Sequence, residues 1–394
     1  MRLFDSIERS DDSPAEYAEP AFRFLNRSAR PVCDQIRKVL GDWFSSYPLE
    51  GQSDLYGRFR SDNNVQHRGA FFELLLHGLL IRLGCNVQLH PELGKSNERR
   101  PDFLVDSPIC GKFFVEAVLA TDESDKEATA RARMNQVYDA LNRMNSPDFF
   151  IGMELTGEPV TPPSAKGIRS FLEENLARLN PDEVAALLKD EDFSVLPRWR
   201  YEHDGWTIDF FPVPKSPNAR GKSGIRPVGL HFSGIEFVDS KGSIRQAILT
   251  KAGSYGNLDH PYVIAVNALG EHVDEIDVRE ALFGTEQWTI QTSSSSEPAD
   301  PKMTRQPDGV WTSASGPRYT RVSAVLVTKR LLPWNIPRVD ARLYHNPWAQ
   351  QRCTCELTRL PQAVPENNRM TLLEGTSLGA LLGLSPEWPE SSAF

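Results

Sequence analysis

No stretch of the sequence holds the roughly 18 consecutive apolar residues that a helix needs to cross a bilayer. The first twenty residues, MRLFDSIERSDDSPAEYAEP, are acidic and polar and lack the apolar run of a secretory signal. A cytoplasmic protein is the expectation. Cysteine is scarce: Cys33, Cys85, Cys110, Cys353 and Cys355 are the whole set in 394 residues. So few thiols, odd in number, do not make a disulfide framework for a chain of this size. Cys353 and Cys355 form a C-x-C pair, and no second pair is present to complete a zinc site. Basic residues are outnumbered, 44 against 53 acidic ones, for a formal net charge of −9. That balance argues against a protein that coats nucleic acid through its overall charge. It leaves room for an enzyme with a local basic groove, because fields decay over a Debye length.

What is present is ordinary for a globular chain: 40% hydrophobic and 25% charged residues. The length exceeds one core, so two domains are expected. Residues 1–65 read as an N-terminal arm with a helix at 33–45, and the polar, glycine-bearing stretch 51–64 as a loop. Residues 66–190 read as a first α/β core and 191–394 as a second α/β region able to complete the same site. In the first core, residues 66–83 are apolar around most of a helix, which predicts burial, and Gly84 fits its stop. Short strands follow at 86–90, 101–106 and 112–119. The stripe Ala130, Met134, Val137, Leu141 and Met144 predicts a helix over 124–144, leading to a fourth strand at 148–155. Further on, helices are expected at 165–179, 181–190 and 243–255, and strands at 205–213, 261–267 and 321–328. Residues 291–309 are rich in Ser and Pro and read as irregular.

The chemistry concentrates at two acids. Asp102 and Glu116 lie equally far from Ile109, the middle of the turn Ser107–Gly111. If the flanking strands pair antiparallel about that turn, residue 102 stands opposite 116. Opposed side chains have Cβ atoms about 4.5–5.5 Å apart. Two carboxylates there repel, and a divalent cation with a taste for oxygen, Mg²⁺ or Mn²⁺, would remove the repulsion. A one-residue slip in register would turn one acid away. The bland alternative is two unrelated surface acids. Against it, Glu116 sits inside FFVEAVL and Glu73 inside AFFELLLHGLL, where unpaired charge is costly.

Glu73 on a helix, then Arg100-Pro101-Asp102, then Glu116-Ala117-Val118 on a strand resembles the PD-(D/E)xK nuclease superfamily, over residues 66–155. The resemblance implies a restriction-endonuclease-like mixed sheet flanked by helices, with Asp102 and Glu116 binding Mg²⁺ and Glu73 orienting the metal or its water. A lysine two residues after the second acid usually polarises the attacking water, and here that position is Val118. The missing cation must come from elsewhere. Lys112 is four residues from Glu116, roughly 13 Å along a strand. Lys251 is the better candidate, because Ile244, Ile248, Lys251 and Tyr255 share one helical stripe that faces inward, although a lysine there can also snorkel to solvent. Arg131 and Gln136 are further options, and Gln136 and Tyr138 match the family's helical Gln or Tyr loosely. His67, His77 and His90 lie near in sequence and read as structural histidines.

A phosphodiester substrate requires local positive charge. Lys215, Arg220, Lys222 and Arg226 occupy a basic loop over 213–226 that contains no acid. Arg318, Arg321, Lys329, Arg330 and Arg338 form a second basic stretch with Trp311, Tyr319 and Trp334 interleaved, which suits base stacking or an ordinary core. Three functions stay open: a Mg²⁺-dependent nuclease acting on DNA or RNA, an inactive nuclease-like module that binds nucleic acid or a protein, and a structural protein without a nucleic-acid role.

Overall fold

The computed structural model describes residues 1–93, 99–188, 192–222, 226–233, 239–256, 258–289, 302–366 and 369–390. The chain folds as two compact units. One comprises residues 1–13, 20–122 and 238–394, the other residues 14–19 and 123–237.

The first unit opens with α1 (Ala21–Arg27), α2 (Pro31–Ser45), α3 (Leu49–Phe59) and α4 (Asn64–Arg82). Asn63 caps α4 by accepting from the Val65 and Gln66 N–H groups. Every residue from Ala70 to Leu80 is buried, as the apolar circumference of this helix requires. Gly84 follows with φ 85°, a left-handed conformation that glycine adopts without strain. The stretch 51–64 is not the loop read from its polar residues. α3 covers most of it, because Gln52, Leu55 and Phe59 recur at helical spacing and are buried.

After α4 come β1 (Asn86–Leu89), β2 (Phe103–Ser107) and β3 (Gly111–Ala120). The chain then enters the second unit with α5 (Asp125–Asn142), β4 (Phe149–Gly157), α6 (Ala165–Leu176), α7 (Pro181–Leu187), β5 (Trp199–His203), β6 (Trp206–Pro214) and β7 (Val228–Ser233). It returns through α8 (Ser240–Ala252), β8 (Tyr262–Ala268) and α9 (Glu275–Phe283). Two small pairs follow, β9 (Glu286–Thr289) with β10 (Lys302–Arg305) and β11 (Thr312–Ser313) with β12 (Gly316–Pro317). The end of the chain supplies β13 (Val322–Lys329), β14 (Ala341–His345), β15 (Gln362–Glu366), β16 (Arg369–Leu373) and α10 (Leu378–Leu381). Part of the Ser/Pro-rich stretch, residues 291–301, lies outside the described residues.

The first unit is mixed α/β. Its sheet has eight strands among the described residues, in the order β1-β2-β3-β8-β13-β14-β15-β16. β1, β2 and β3 form an antiparallel meander, and β3, β8 and β13 run parallel. Every residue of β8 is buried, which suits a central strand covered on both faces. On one face, Phe71, Leu74 and Leu75 of α4 share a core with Phe113, Val115 and Val263. On the other, Ile244 and Ile248 of α8 share a core with Phe114, Ile264 and Val266. Among the described residues no helix is long and apolar enough to cross a membrane.

The second unit has its own four-stranded sheet, β5-β6-β4-β7, with Val137, Leu141, Ile168 and Leu172 from α5 and α6 packed on Ile151, Met153 and Phe210. This corrects the reading of residues 124–155. They do form a helix and a strand, but β4 joins the second sheet. The strand parallel to β3 is β8, and the helix that precedes it is α8. The divisions expected after residues 65 and 190 therefore do not coincide with the two units.

Candidate functional site

The site is built on the β2–β3 hairpin. Its ladder runs from Ser107 opposite Gly111 to Phe103 opposite Val115. One step beyond, Asp102 faces Glu116. The next residue back is Pro101, which has no N–H to continue a ladder. β3 nevertheless runs on to Ala120 with β8 on its other side. The Ala117 N–H, freed by the end of the ladder, is taken by Asp102, whose Oδ2 accepts it at 2.7 Å. The Asp102 N–H in turn donates to Glu116 Oε2 at 3.1 Å. The two acids thus meet at the point where β2 ends and the edge of β3 opens.

α8 supplies the cation. Ile244 and Ile248 anchor the helix on the sheet, and the same stripe carries Lys251 toward β3. Lys251 Nζ lies 2.5 Å from Glu116 Oε1, and Tyr255, just past the helix end, donates its hydroxyl to Glu116 Oε2 at 2.6 Å. Glu116 is only 1% exposed, so these partners are what makes its burial tolerable. Burial and the neighbouring Glu116 charge raise the Tyr255 pKa, so its proton stays on the hydroxyl. Val118 lines the adjoining pocket.

Glu73 comes from α4. Tyr47 donates to its Oε1 at 2.6 Å and Arg58 pairs with its Oε2 at 2.8 Å. Arg58, Glu73, Asp102 and Lys251 all line one pocket of about 210 Å³, together with Ala117, Val118 and Leu119. With Glu116 beside Asp102, three carboxylates are set against two cations. The imbalance falls on Asp102. Burial first, then the charges of Glu116 and Glu73, push its carboxyl up to about 8, against the opposing pull of the Ala117 N–H and Lys251.

The donors suit a hard divalent cation. They are carboxylate oxygens with surplus negative charge, and Oδ1 of Asp102 accepts no hydrogen bond among the described residues. No group of three or more His, Cys, Asp or Glu side chains among the described residues is gathered to hold a metal ion. An ion at Asp102 and Glu116 would therefore complete its shell with water and substrate oxygens, which is how Mg²⁺ is usually bound. Glu73 has both oxygens committed to Tyr47 and Arg58, and Glu116 has both committed to Lys251 and Tyr255, so an ion shared with Asp102 would have to displace a partner from Glu116.

Other sequence candidates fall elsewhere. Lys112 is exposed and pairs in register with Asp106, at the turn end of the hairpin. Arg131, Gln136 and Tyr138 lie on α5 of the second unit, where Arg131 pairs with Glu123 and Tyr138 packs on Tyr17. His67 is buried with Nδ1 2.5 Å from the Phe59 carbonyl, and burial lowers its pKa. His77 is buried beside the Tyr47 ring, and burial lowers its pKa to about 4. His90 is exposed, with its N–H on the Asp102 carbonyl.

The basic loop is corrected most. Lys215 is buried, with its ammonium 2.7 Å from the Ser146 carbonyl and over the Phe150 ring. Arg220 pairs with Asp182, and Arg226 binds the carbonyls of Pro14 and Ala15. Only Lys222 of the four is exposed without a partner among the described residues. In the second basic stretch Trp311 is fully buried, Arg318 holds the carbonyls of Gly309 and Val310, and Lys329 pairs with Glu275 and Asp340. Trp334 remains exposed.

Three residues of the site carried no sequence signal as site residues. Arg58 sat in a segment read as a loop, Tyr47 in a stretch with no pattern, and Tyr255 was visible only as the end of the Lys251 stripe. No family model matches the chain, and no curated protein and no solved structure matches it.

Proposed function

We propose that the protein is a restriction-endonuclease-like nuclease that hydrolyses phosphodiester bonds of DNA or RNA, using Mg²⁺ or Mn²⁺ held by Asp102 and Glu116. The proposal rests on Lys251, whose Nζ stands 2.5 Å from Glu116 beside Asp102. A lysine from α8 thereby offers the charge that Val118 does not. The order α4, β1-β2-β3, α8, β8, with β8 parallel to β3, supports the reading: it is helix, three strands, helix, strand, with the second unit inserted before α8.

The roles follow from the contacts. Asp102 and Glu116 supply the oxygen ligands. Bound there, the cation would lower the pKa of a water and offset charge on the phosphate. Lys251 sits where it can hold the attacking water or neutralise developing negative charge. Tyr255 fixes the Glu116 carboxylate in one orientation. Arg58 neutralises Glu73 at the pocket wall and also pairs with Asp54.

A second reading has its own support. All four oxygens of Glu116 and Glu73 already have protein partners, as in a nuclease-like module that binds nucleic acid without cutting it. Incubation with single- and double-stranded DNA and RNA in Mg²⁺ or Mn²⁺ separates the two. Cleavage abolished by Glu116→Gln and by EDTA supports the nuclease. Binding with no cleavage in either metal removes it in favour of the module.

A further inference from the structure

Outside the carboxylate site, Cys110 converges with the distant pair Cys353 and Cys355, and Cys85 approaches the same group at Glu356. Cys353 and Cys355 face each other with Sγ atoms 3.2 Å apart, both buried. Cys110, in the β2–β3 turn, interacts with the Cys355 thiol. Its own thiol donates to Ser107 Oγ at 3.4 Å. Glu356 clamps the two segments together: its Oε1 accepts from Ser107 Oγ at 2.6 Å and from the Ile109 N–H at 3.3 Å. Glu356 is 2% exposed, and its Oε2 has no hydrogen-bond partner among the described residues.

The sulfur spacing is shorter than a shared zinc would set. Thiolates bonded to one tetrahedral Zn²⁺ at about 2.3 Å stand about 3.8 Å apart, more than the 3.2 Å found here. The spacing is that of thiols in direct contact, one bond formation from a disulfide. The cysteines also differ in access. Cys110 is partly exposed, whereas Cys353 and Cys355 are buried.

We propose that Cys110, Cys355 and Cys353 form a thiol oxidation site, in which a hydroperoxide oxidises Cys110 and the oxidation passes inward to a disulfide. The Cys110 thiolate attacks the peroxide, the O–O bond breaks, and an alcohol or water leaves with a proton, giving the sulfenic acid. Cys355 sulfur attacks Cys110 sulfur, the S–O bond breaks, and water departs with the Cys355 proton. Cys353 then attacks Cys355 sulfur, leaving a Cys353–Cys355 disulfide and restoring the Cys110 thiolate. Two thiols are oxidised and one peroxide is reduced. The contact with Cys355 first, and that with Ser107 after it, bring the Cys110 thiol down to about 6 against its burial, which favours the thiolate. Cys85 makes the contrast: burial and the charge of Glu356 push its thiol up to about 12.

The test treats the full chain at pH 7 with one equivalent of hydrogen peroxide, blocks the remaining thiols and maps the peptides by mass spectrometry. The expected result is the loss of two thiols and a disulfide joining Cys355 to Cys353 or Cys110, formed at least about tenfold more slowly in Cys110→Ser. First oxidation at Cys33 or Cys85 overturns the proposal. So does oxidation of Cys110 to the sulfinic acid without a disulfide, or purified protein that carries one zinc per chain released on thiol alkylation. Should Cys110→Ser not fold, alkylation of the unaltered protein over pH 5–8 decides: Cys110 is to react first with a midpoint near pH 6, and its reacting last refutes the idea.

Discussion

Asp102→Asn is expected to stabilise the metal-free protein, and increasingly so as the pH rises. The Asp102 carboxyl stands at about 8 in the folded chain against an ordinary value of 3.8. Between those values the folded protein holds a proton that the unfolded chain releases. The sign is therefore fixed: the contribution of Asp102 to stability is complete below about pH 4 and is lost as the pH rises through 8. The limiting slope is about 1.4 kcal/mol per pH unit, or about 4 kcal/mol from pH 5 to 8. Partial exposure of Asp102 to solvent reduces this to about 2 kcal/mol. Asparagine keeps an oxygen for the Ala117 N–H and carries no charge, so the variant escapes the loss. Urea denaturation in EDTA at intervals from pH 5 to 8 measures the gap. A gap that stays constant with pH, or that favours the wild type more at pH 8, refutes the electrostatic reasoning.

Lys251→Met leaves a nearly inaccessible Glu116 without its cation and is expected to cost about 2 kcal/mol in chemical denaturation. It should also lower cleavage at least about 100-fold, while Lys251→Arg recovers stability without full turnover. Tyr255→Phe removes one hydrogen bond to a buried carboxylate, a loss of about 1–2 kcal/mol on the same assay, with the cleavage rate reduced less than by Lys251→Met. Lys215→Met is expected to leave nucleic-acid affinity and its salt dependence unchanged, because the amine is buried on the Ser146 carbonyl. Lys222→Ala, at an exposed position, should reduce the salt slope by about one contact if the loop touches phosphate.

The hairpin was legible because its information is local. Two acids equidistant from a turn stand opposite one another in the register that keeps Phe103, Val105, Phe113 and Val115 in a single core. Lys251 was legible for the same reason, through the stripe Ile244, Ile248, Lys251, Tyr255. The placement of β4 was not. Residues 124–155 carry a helical stripe followed by an apolar strand, and periodicity names an element without naming the sheet it joins. An insertion between β3 and α8 therefore reads as the crossover itself. Arg58 was hidden by Gly51, Gly57 and the polar residues around them, since the buried set Gln52, Leu55, Phe59 is too sparse to outweigh them. The inward turn of Lys215 was equally invisible, because a basic loop advertises its charge and not the carbonyl that captures it.

Crystals soaked in MnCl₂ and measured at the manganese absorption edge test the proposed metal site at first hand. An anomalous peak beside the Asp102 and Glu116 carboxylates, with the Lys251–Glu116 pair loosened, is the predicted result. Full soaking with no peak there, and the Lys251–Glu116 pair unchanged at 2.5 Å, would contradict it.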